Sequence, residues 1–501
     1  MSTVLQTPSQ AVEWLRHRGA IGLHADSRRL SAGDAFLAWP GAASDGRRFV
    51  PAALAAGARA CLVEHQASAQ AGLDLNDQRI ATYAGLKADA SGIASAFYGH
   101  PSAQLQVMAV TGTNGKTSTA WWLAQALTAA GRSCALVGTL GLGQPGRLQS
   151  NGLTTPDPVL LQQHLRQWVE AGHKACAIEA SSIGLAESRL EGLSIHTALF
   201  TNFTQDHLDY HGTMQAYWQD KARLFDWPGL RAAGINIDDP KGTELAGQLS
   251  GRQGLDVWTV SIDGPARLRA QDLRSADVGI AFEVVEGAQS CTVRVPAVGR
   301  YNVSNLLGVM AGLRSLGLSL VQAGRACADL TAVPGRMESL GGVAQPLVVV
   351  DYAHTPDALE QVLQALGPVA DGRGGRLWLV VGCGGDRDRL KRPLMAAVGE
   401  RRAQRLVLTS DNPRSELPGA ILKDMVAGLQ HAQEAVLEED RARAIALAIG
   451  QAADTDVVLV AGKGHEDYQE IEGQRKPFSD REVAARALRA RASGAQEVAA
   501  C

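Results

Sequence analysis

The chain has 501 residues, of which 46% are hydrophobic and 20% charged, and its formal net charge is -3. These values are typical of a globular protein with about three domains of roughly 100–200 residues each. Nucleic-acid-binding proteins usually carry a basic excess, which this chain lacks, so we expect no nucleic-acid partner.

The chain also lacks the sequence signals of a membrane or secreted protein. No apolar run approaches the ~18 residues that indicate a membrane span, and the N-terminal segment does not resemble a secretory signal. Its seven cysteines are scattered, which favours free thiols in a reducing compartment. We therefore predict a cytoplasmic protein without a membrane span, and we expect a monomer.

Three α/β regions follow one another. The first ends near a predicted linker, Tyr98–Pro101. The second alternates strand and helix patterns, at Leu105–Val110, Ser118–Ala130, Ala135–Gly138, Pro158–Ala171, Ala175–Ile178, Ala198–Thr201 and Met214–Phe225. The third follows Pro334-Gly335 and has buried-strand patterns at Leu347–Val350, Leu377–Val381, Arg405–Leu408 and Val457–Val460. Such alternation predicts parallel sheets covered by helices, in domains 1–101, 102–336 and 337–501.

A glycine-containing turn, TGTNGKT at positions 111–117, joins a predicted strand to a predicted helix. Glycines let backbone N–H groups approach phosphate oxygens, and the helix N-terminus adds a positive dipole. Lys116 can reach the β- and γ-phosphates of ATP, and the Thr117 hydroxyl can hold Mg²⁺. The pattern predicts an ATP site formed by Gly112, Thr113, Asn114, Gly115, Lys116, Thr117 and Ser118.

This loop, TGTNGKTS, resembles that of the Mur ligase superfamily, which also contains folylpolyglutamate synthase. Further matching strings, DHLDYHG, GRYNVSN, DYAHTPD, GCGGDRD, DNPR and GKGHE, extend the resemblance over essentially the whole chain. The resemblance implies a UDP-substrate-binding N-terminal domain, a central P-loop-like ATPase domain with a mostly parallel sheet, and a Rossmann-like C-terminal domain. It also implies ATP-dependent amide-bond formation through an acyl phosphate.

Several residues are candidate metal ligands. Glu179 follows a predicted strand, and one carboxylate with phosphate and water oxygens suits Mg²⁺. Without the resemblance, His207 is more typical of a hydrogen-bonding loop histidine and Lys221 of a solvated surface charge. The resemblance implies that His207 binds metal, that His211 is structural, and that a CO₂-derived carbamate on Lys221 helps to hold a second Mg²⁺. The implied metal ligands are Thr117, Glu179, His207 and carbamylated Lys221.

The nucleotide contacts are also implied by the resemblance. Asn302 and Asn305 share one helix face, and a helix cap with a buried polar pair is the simpler alternative to an adenine site. Arg336 would contact the phosphates when the third domain closes, and Asp351 and His354 would reach the nucleotide across the domain cleft. The implied catalytic residues are Lys116, Lys221, His207 and Arg336.

The DNPR string at 411–414 resembles the signature of family members that use meso-2,6-diaminopimelate. The distal centre of this amino acid is zwitterionic, and arginine can bind its carboxylate bidentately. Arg414 is the candidate for that contact, with Asn412 and Glu466 on the ammonium side, although DNPR is also a good turn sequence. The implied amino-acid site comprises Arg387, Asp411, Asn412, Pro413, Arg414, Gly462 and Glu466.

The UDP-sugar side carries fewer matches. Ser27 is a uridine-site candidate, whereas the segment 41–44 (GAAS) lacks a histidine that is common in the family. Glu187 stands where glutamine is familiar, and an extra carboxylate would oppose an anionic substrate, so we leave Glu187 out of the site. The implied contacts are Ser27, Asn151, Thr154, Thr155, Ser181 and Arg189.

The resemblance therefore implies a ligase of cytoplasmic peptidoglycan precursor synthesis. It would add meso-diaminopimelate to a UDP-N-acetylmuramoyl dipeptide, with ATP, two Mg²⁺ ions and the Lys221 carbamate. One alternative is a lysine-adding or folylpolyglutamate-type ligase, which the DNPR and DHLDYHG strings oppose. The other is a P-loop ATPase switch, which would hydrolyse ATP without an amine acceptor.

Overall fold

The computed structural model describes residues 3–41, 44–66, 72–150, 152–275, 279–295, 297, 299–342 and 344–499. Within these ranges, sheets of five, eleven and six strands follow one another along the chain, and a two-stranded hairpin completes the last region. Helices cover the sheets, so the predicted three-domain α/β architecture is confirmed. The exact residues at which the domains begin and end stay a prediction.

The N-terminal sheet is parallel, in the order β1-β5-β4-β3-β2. Its elements are β1 Thr3–Leu5, α1 Pro8–His17, β2 Leu23–His24, β3 Ala35–Ala38, α2 Val50–Ala55, β4 Ala60–Glu64, β5 Ile80–Tyr83 and α3 Leu86–Phe97. Every residue of β3, β4 and β5 is buried, as expected for strands covered on both faces.

The central sheet has the order β16-β15-β14-β13-β12-β11-β6-β10-β7-β8-β9 and is parallel from β14 to β7. Its strands are β6 Gln106–Thr111, β7 Cys134–Gly138, β8 Gly141–Gln144, β9 Arg147–Gln149, β10 Ala175–Glu179, β11 Thr197–Phe200, β12 Ala232–Asn236, β13 Asp256–Ser261, β14 Leu268–Ser275, β15 Ile280–Glu286 and β16 Gln289–Val295. Its helices are α4 Lys116–Ala129, α5 Pro158–Glu170, α6 Ser182–Ala186, α7 Leu208–His211, α8 Met214–Ala222, α9 Pro240–Leu249, α10 Arg300–Ser315 and α11 Leu320–Ala326.

Helix α4 begins two residues earlier than the sequence pattern predicts, at Lys116 instead of Ser118. Gly115 precedes it with a φ of 83°, a left-handed conformation that glycine adopts at little cost. The chain can therefore enter the helix immediately after the turn. Lys116 and Thr117 consequently lie in the first helical turn, where the backbone N–H groups are unpaired within the helix.

The C-terminal sheet has the order β17-β18-β22-β19-β20-β21, with only β17 antiparallel. Its strands are β17 Glu338–Gly341, β18 Leu347–Asp351, β19 Leu377–Cys383, β20 Arg405–Ser410, β21 Val436–Leu437 and β22 Val457–Ala461, and the hairpin is β23 Tyr468–Ile471 and β24 Gln474–Pro477. Its helices are α12 Pro356–Gly372, α13 Lys391–Arg402, α14 Pro418–Val426, α15 Arg441–Gln451 and α16 Asp480–Ala499. None of the helices in the described part of the chain is both long and apolar enough to cross a membrane.

Candidate active site

The phosphate loop lies between β6 and α4 and is held by the residues that follow β11. The Thr113 N–H donates to the Asn202 carbonyl at 2.8 Å, and the Asn114 N–H donates to the Asn202 side chain at 2.8 Å. Thr201 donates to the Asn114 carbonyl at 2.6 Å. A Cβ on Gly112 would lie 1.9 Å from the Thr201 hydroxyl. The loop therefore requires glycine at 112, and Thr201 and Asn202 are supports that the sequence analysis missed.

The side-chain nitrogens of two lysines converge on this loop. Lys116 Nζ donates to the Gly112 and Thr113 carbonyls at 3.0 and 2.8 Å, and Lys221 Nζ donates to the Gly112 carbonyl at 2.7 Å. Lys221 is buried and lies 4.3 Å from the centroid of the Tyr217 ring. Burial, reinforced by the charge of Lys116, holds the pKa of Lys221 well below its ordinary value. Lys221 is thus not the solvated surface lysine that its helical position alone suggested.

The Thr117 hydroxyl connects three segments. It donates to Glu179 Oε2 at 2.9 Å and accepts from the Arg336 guanidinium at 3.1 Å. Glu179 also accepts from the Thr139 N–H at 2.8 Å. The structure therefore brings the predicted Thr117, Glu179 and Arg336 together at the end of the phosphate loop.

His207 and its neighbour Asp206 lie between the central and C-terminal domains. Asp206 Oδ2 is 3.4 Å from His207 Nε2 and 3.7 Å from His354 Nε2, and Asp206 Oδ1 is 3.4 Å from Lys391 Nζ. Burial opposes ionisation of Asp206, but His354 and Lys391 keep its pKa well below the ordinary value. Burial lowers the pKa of His207 to about 3. His207 is accordingly neutral at pH 7, the form in which an imidazole can bind a metal.

The other histidine of this motif has its ring nitrogens occupied. His211 Nδ1 is 2.9 Å from Asp220, and its Nε2 is 3.0 Å from the Ser182 hydroxyl. Both contacts lie within the central domain and join α7 to α8 and α6. This environment agrees with a structural role.

The predicted nucleotide residues come from both sides of the domain cleft. Asn302 and Asn305 are buried on α10, with their side chains 3.3 Å apart, and Gly115 packs against Asn305. Asp351 ends β18 and accepts the Met337 N–H at 2.7 Å, and burial raises the pKa of Asp351 despite Arg336 nearby. Asn302 and Asn305 therefore lie beside the phosphate loop, and Asp351 holds the backbone next to Arg336.

The sugar-nucleotide candidates of the central domain form one hydrogen-bonded group. Thr155 lies 2.9 Å from the Ser181 hydroxyl and donates to the Glu179 carbonyl at 2.8 Å. Arg189 donates to the Thr155 carbonyl at 2.9 Å, and the Thr154 hydroxyl is 3.0 Å from that of Thr139. This group touches the proposed metal ligand Glu179, so a carboxylate bound here would be close to the phosphate loop.

The other residues predicted to bind the sugar nucleotide do not belong to this hydrogen-bonded group. Ser27 begins a short 3₁₀ turn in the N-terminal domain, which the carboxylate of Asp26 caps by accepting the Arg28 N–H at 3.0 Å. Asn151, and positions 42 and 43 of the GAAS segment, lie outside the described residues.

The negative charge of Glu187 is balanced by a lysine of the N-terminal domain. Its carboxylate lies 2.5 Å from Lys87 Nζ, and it accepts a hydrogen bond from the Tyr210 hydroxyl at 2.6 Å. Burial alone would raise the pKa of Glu187, but Lys87 and Tyr210 lower it. The extra carboxylate therefore carries its own countercharge, which reduces its repulsion of an anionic substrate.

The amino-acid candidates meet where β20 and β22 end. The Asn412 amide donates to Glu466 Oε2 at 2.9 Å, and Lys463 Nζ bonds to both Asn412 and Glu466, at 3.0 and 2.8 Å. Lys463 is fully buried, and the sequence analysis gave it no role. Gly462 has a φ of 120°, which favours glycine, and a Cβ there would lie 2.6 Å from Asp411 Oδ2.

Two predicted arginines flank this group. Arg414 has a φ of 54° and donates to the Gly385 carbonyl at 2.7 Å. Arg387 is exposed and donates to the Asp386 carbonyl at 3.0 Å. The Pro413 carbonyl oxygen lies against Gly385, and a Cβ added to Gly385 would lie 1.9 Å from that oxygen. A left-handed arginine is strained and often marks a functional position.

The candidate metal ligands could bind Mg²⁺ only if phosphate and water oxygens completed its coordination. In the described ranges, no group of three or more His, Cys, Asp or Glu residues could hold a metal ion. The available ligands are the Thr117 hydroxyl, the Glu179 carboxylate and the His207 imidazole. Mg²⁺ prefers oxygen ligands and keeps several waters, so Thr117 and Glu179 suit it beside a triphosphate.

Three family models match the chain. They describe the Mur ligase middle domain over residues 110–313, the Mur ligase glutamate ligase domain over 335–464 and the Mur ligase family catalytic domain over 21–85. A protein of Acidovorax sp. (strain JS42), UDP-N-acetylmuramoyl-L-alanyl-D-glutamate--2,6-diaminopimelate ligase, is 57% identical over 497 residues. The match covers 98% of this chain and 98% of that protein.

Solved structures give the same architecture. One of a protein with that same name is 35% identical, with a TM-score of 0.63 over 94% of this chain and 95% of the other. The MurF ligase from Thermotoga maritima in complex with ADP is 18% identical, with a TM-score of 0.67 over 95% of this chain and 98% of the other. The second likeness shows the fold alone.

Proposed function

The chain belongs to the Mur ligase family of ATP-dependent amide-bond-forming ligases, and we propose that it joins UDP-N-acetylmuramoyl-L-alanyl-D-glutamate to meso-2,6-diaminopimelate. This reaction would place it in the synthesis of peptidoglycan precursors. The Acidovorax relative with 57% identity bears the name of this activity. A cytoplasmic location and a monomeric state remain part of the proposal.

The observation that carries the choice of amino acid is the group of polar side chains at the ends of β20 and β22. Asn412 and Glu466 are hydrogen-bonded to each other, and both are fixed by the buried Lys463. Carboxylate and amide oxygens suit a substrate ammonium, and Arg414 on the same loop suits a carboxylate. A distal centre that carries both charges would use both kinds of contact.

The first chemical step is transfer of the ATP γ-phosphoryl group. A carboxylate oxygen of the D-glutamyl side chain forms a bond to the γ-phosphorus, and the bond to the ADP oxygen breaks. Lys116 and Arg336 would stabilise the negative charge of the transferring group. To do so, Lys116 would exchange its contacts with the loop carbonyls for contacts with phosphate oxygens.

Mg²⁺, when bound, would neutralise phosphate charge during this transfer. Thr117 and Glu179 would hold one ion, and His207 and a carbamate on Lys221 would hold a second. The low pKa of buried Lys221 favours the neutral amine, which is the form that reacts with CO₂. A carbamate would also place an anion beside the Lys116 cation, which is a favourable arrangement of charges.

The second step uses the amino acid. An amine of diaminopimelate attacks the acyl-phosphate carbonyl, the new C–N bond forms, and phosphate leaves as the amine loses a proton.

Contacts such as Asp206 with Lys391 and Asn114 with Asp357 join the central and C-terminal domains across the cleft. Closure of this cleft would exclude water from the acyl phosphate.

A phosphate-release assay with single omissions tests the proposal. We expect release to require ATP, the UDP-sugar dipeptide and diaminopimelate together, with a product that has the mass of the amide. Release that needs neither the sugar nucleotide nor an amine would instead support an ATPase switch. Release with the dipeptide and lysine in place of diaminopimelate would keep the ligase and reject the proposed amino acid.

A further inference from the structure

A fully buried ion pair lies beneath the amino-acid pocket. Arg441, the first residue of α15, donates to both carboxylate oxygens of Asp480, the first residue of α16, at 2.7 Å each. Both side chains are 0% exposed. Desolvation offsets much of the attraction within such a pair, so burial alone is weak evidence for a stabilising role.

Arg441 also binds the carboxyl ends of two strands. Its guanidinium donates to the Ser410 carbonyl at 3.1 Å and to the Ala461 carbonyl at 2.9 Å. Ser410 is the last residue of β20, and Ala461 is the last residue of β22. The next residues along the chain begin the 411–414 and 462–466 loops that form the pocket.

These two strands are not neighbours in the sheet, because β19 lies between them. The spacing of their ends is therefore set indirectly through β19, and Arg441 adds a direct bridge. Guanidinium has a planar, rigid arrangement of donors, whereas a lysine ammonium offers a single nitrogen. A lysine at 441 could not reproduce the whole set of contacts with Asp480 and both carbonyls.

The contacts between the 411–414 and 462–466 loops depend on how far apart the two loops lie. Asn412 of the first loop bonds to Glu466 of the second, and Gly462 packs against Asp411. A small displacement of either strand end would change the Asn412–Glu466 distance. Buried hydrogen-bonded networks are sensitive to such shifts, because a partly satisfied network is costly.

We propose that Arg441, held by Asp480, is a positioning residue that sets the distance between the two loops and thereby the affinity for the amino-acid substrate. The inference rests on the proposed function, since it assumes that these loops bind diaminopimelate. Arg441 lies beneath the pocket and acts through Ser410 and Ala461. Its loss should therefore affect amino-acid binding more than the phosphate loop.

The test compares Michaelis constants for the three substrates in the full-length enzyme. In R441K we expect the KM for diaminopimelate to rise about tenfold or more, as for loss of a charged hydrogen bond. The KM values for ATP and the UDP-sugar dipeptide should stay within about twofold. The double variant R441M/D480L removes both charges, which often leaves stability nearly unchanged, and it should show the same selective rise.

Arg491 provides a matched control on the same two helices. It joins α16 to the far end of α15 by donating to the Ile449 and Gly450 carbonyls and to Asp454, at 3.0, 3.1 and 2.8 Å. R491A should lower Tm without changing the KM for diaminopimelate. This control separates loosening of the helix pair from displacement of the loops.

Different results would overturn different statements. An unchanged KM for diaminopimelate in both Arg441 variants, or an equal rise in all three KM values, would overturn the positioning role while leaving the ligase intact. If R491A also raised the KM for diaminopimelate selectively, helix packing would explain the effect, and the positioning role of Arg441 would be rejected. Wild-type enzyme that releases no phosphate with diaminopimelate would instead overturn the proposed function, and this inference with it.

Discussion

The phosphate loop and the amino-acid pocket both lie at the carboxyl ends of parallel strands, but they are assembled differently. The phosphate loop is one continuous segment, in which Lys116 bonds to carbonyls three and four residues away. In the pocket, Asn412 bonds to Glu466, which is 54 residues away. The loop itself is thus specified by local sequence, although Thr201 and Asn202 support it from the end of β11. The pocket, in contrast, exists only where separate strands bring its residues together.

This difference suggests a division of roles between the sites. On the proposed function, groups at the phosphate loop act on ATP, so a change there should stop the reaction whichever amine is offered. We propose that groups in the pocket contact the incoming amino acid, so a change there should alter its KM and leave the use of ATP intact. The following substitutions test this division, beginning with the largest expected effect.

Lys116→Met should reduce kcat by about 100- to 1000-fold, because it removes a preorganised cation from the transferring phosphoryl group. Steady-state phosphate release with saturating diaminopimelate, and separately with other amines, would measure the loss. Lys241→Met is a suitable control, since Lys241 is a partly exposed lysine of the same domain paired with Glu244. A loss confined to one amine would contradict the division of roles.

Lys221→Ala should reduce turnover by about 100-fold, and added bicarbonate should not restore it. A direct readout is a carbamate signal in the ¹³C NMR spectrum of the wild-type enzyme after incubation with ¹³C-bicarbonate. The variant should lack that signal. Unchanged turnover in the variant would remove Lys221 from the site, and a wild-type spectrum without the signal would reject the carbamate.

Arg414→Ala should raise the KM for diaminopimelate by about 10- to 100-fold, the range expected for loss of a charged hydrogen bond. The KM for ATP should hardly change. Arg405, an exposed arginine at the opposite end of β20, supplies the control Arg405→Ala. Comparable increases for diaminopimelate and ATP would show that Arg414 serves only to shape the turn.

Lys87→Met should raise the KM for the UDP-sugar dipeptide by only about two- to fivefold, because the pair with Glu187 is partly exposed. The substitution leaves the Glu187 carboxylate without its countercharge near an anionic substrate. The double variant Lys87→Met with Glu187→Gln should recover most of the loss, which a double-mutant cycle would reveal. Additive effects of the two changes would reject the compensation.

Sequence reasoning was most successful where the signals are local. The strand predicted at Leu105–Val110 lies at Gln106–Thr111, the glycine turn follows it, and the helix predicted from Ser118 begins two residues earlier, at Lys116. Asp206 and Lys463 lie within motifs that the sequence analysis quoted, yet they received no role. Their partners Lys391 and Asn412 are 185 and 51 residues away, and no local pattern indicates such pairs.

Arg441 is the extreme case, because nothing around it in sequence distinguishes it from a surface arginine at a helix start. Its partners Ser410, Ala461 and Asp480 lie 31, 20 and 39 residues away. Only the order of strands in the sheet brings them together. Residues that position a binding loop from beneath are therefore the part of this site that required the structure.

The most direct test of the pocket is a competition between two amines in one reaction. Wild-type enzyme would receive ATP, the UDP-sugar dipeptide and equal concentrations of meso-diaminopimelate and L-lysine, and the product masses would be compared. We predict that the diaminopimelate product dominates, because only that amino acid has a distal carboxylate for Arg414. Equal amounts of both products, or an excess of the lysine product, would contradict the proposal that Arg414 binds the distal carboxylate of diaminopimelate.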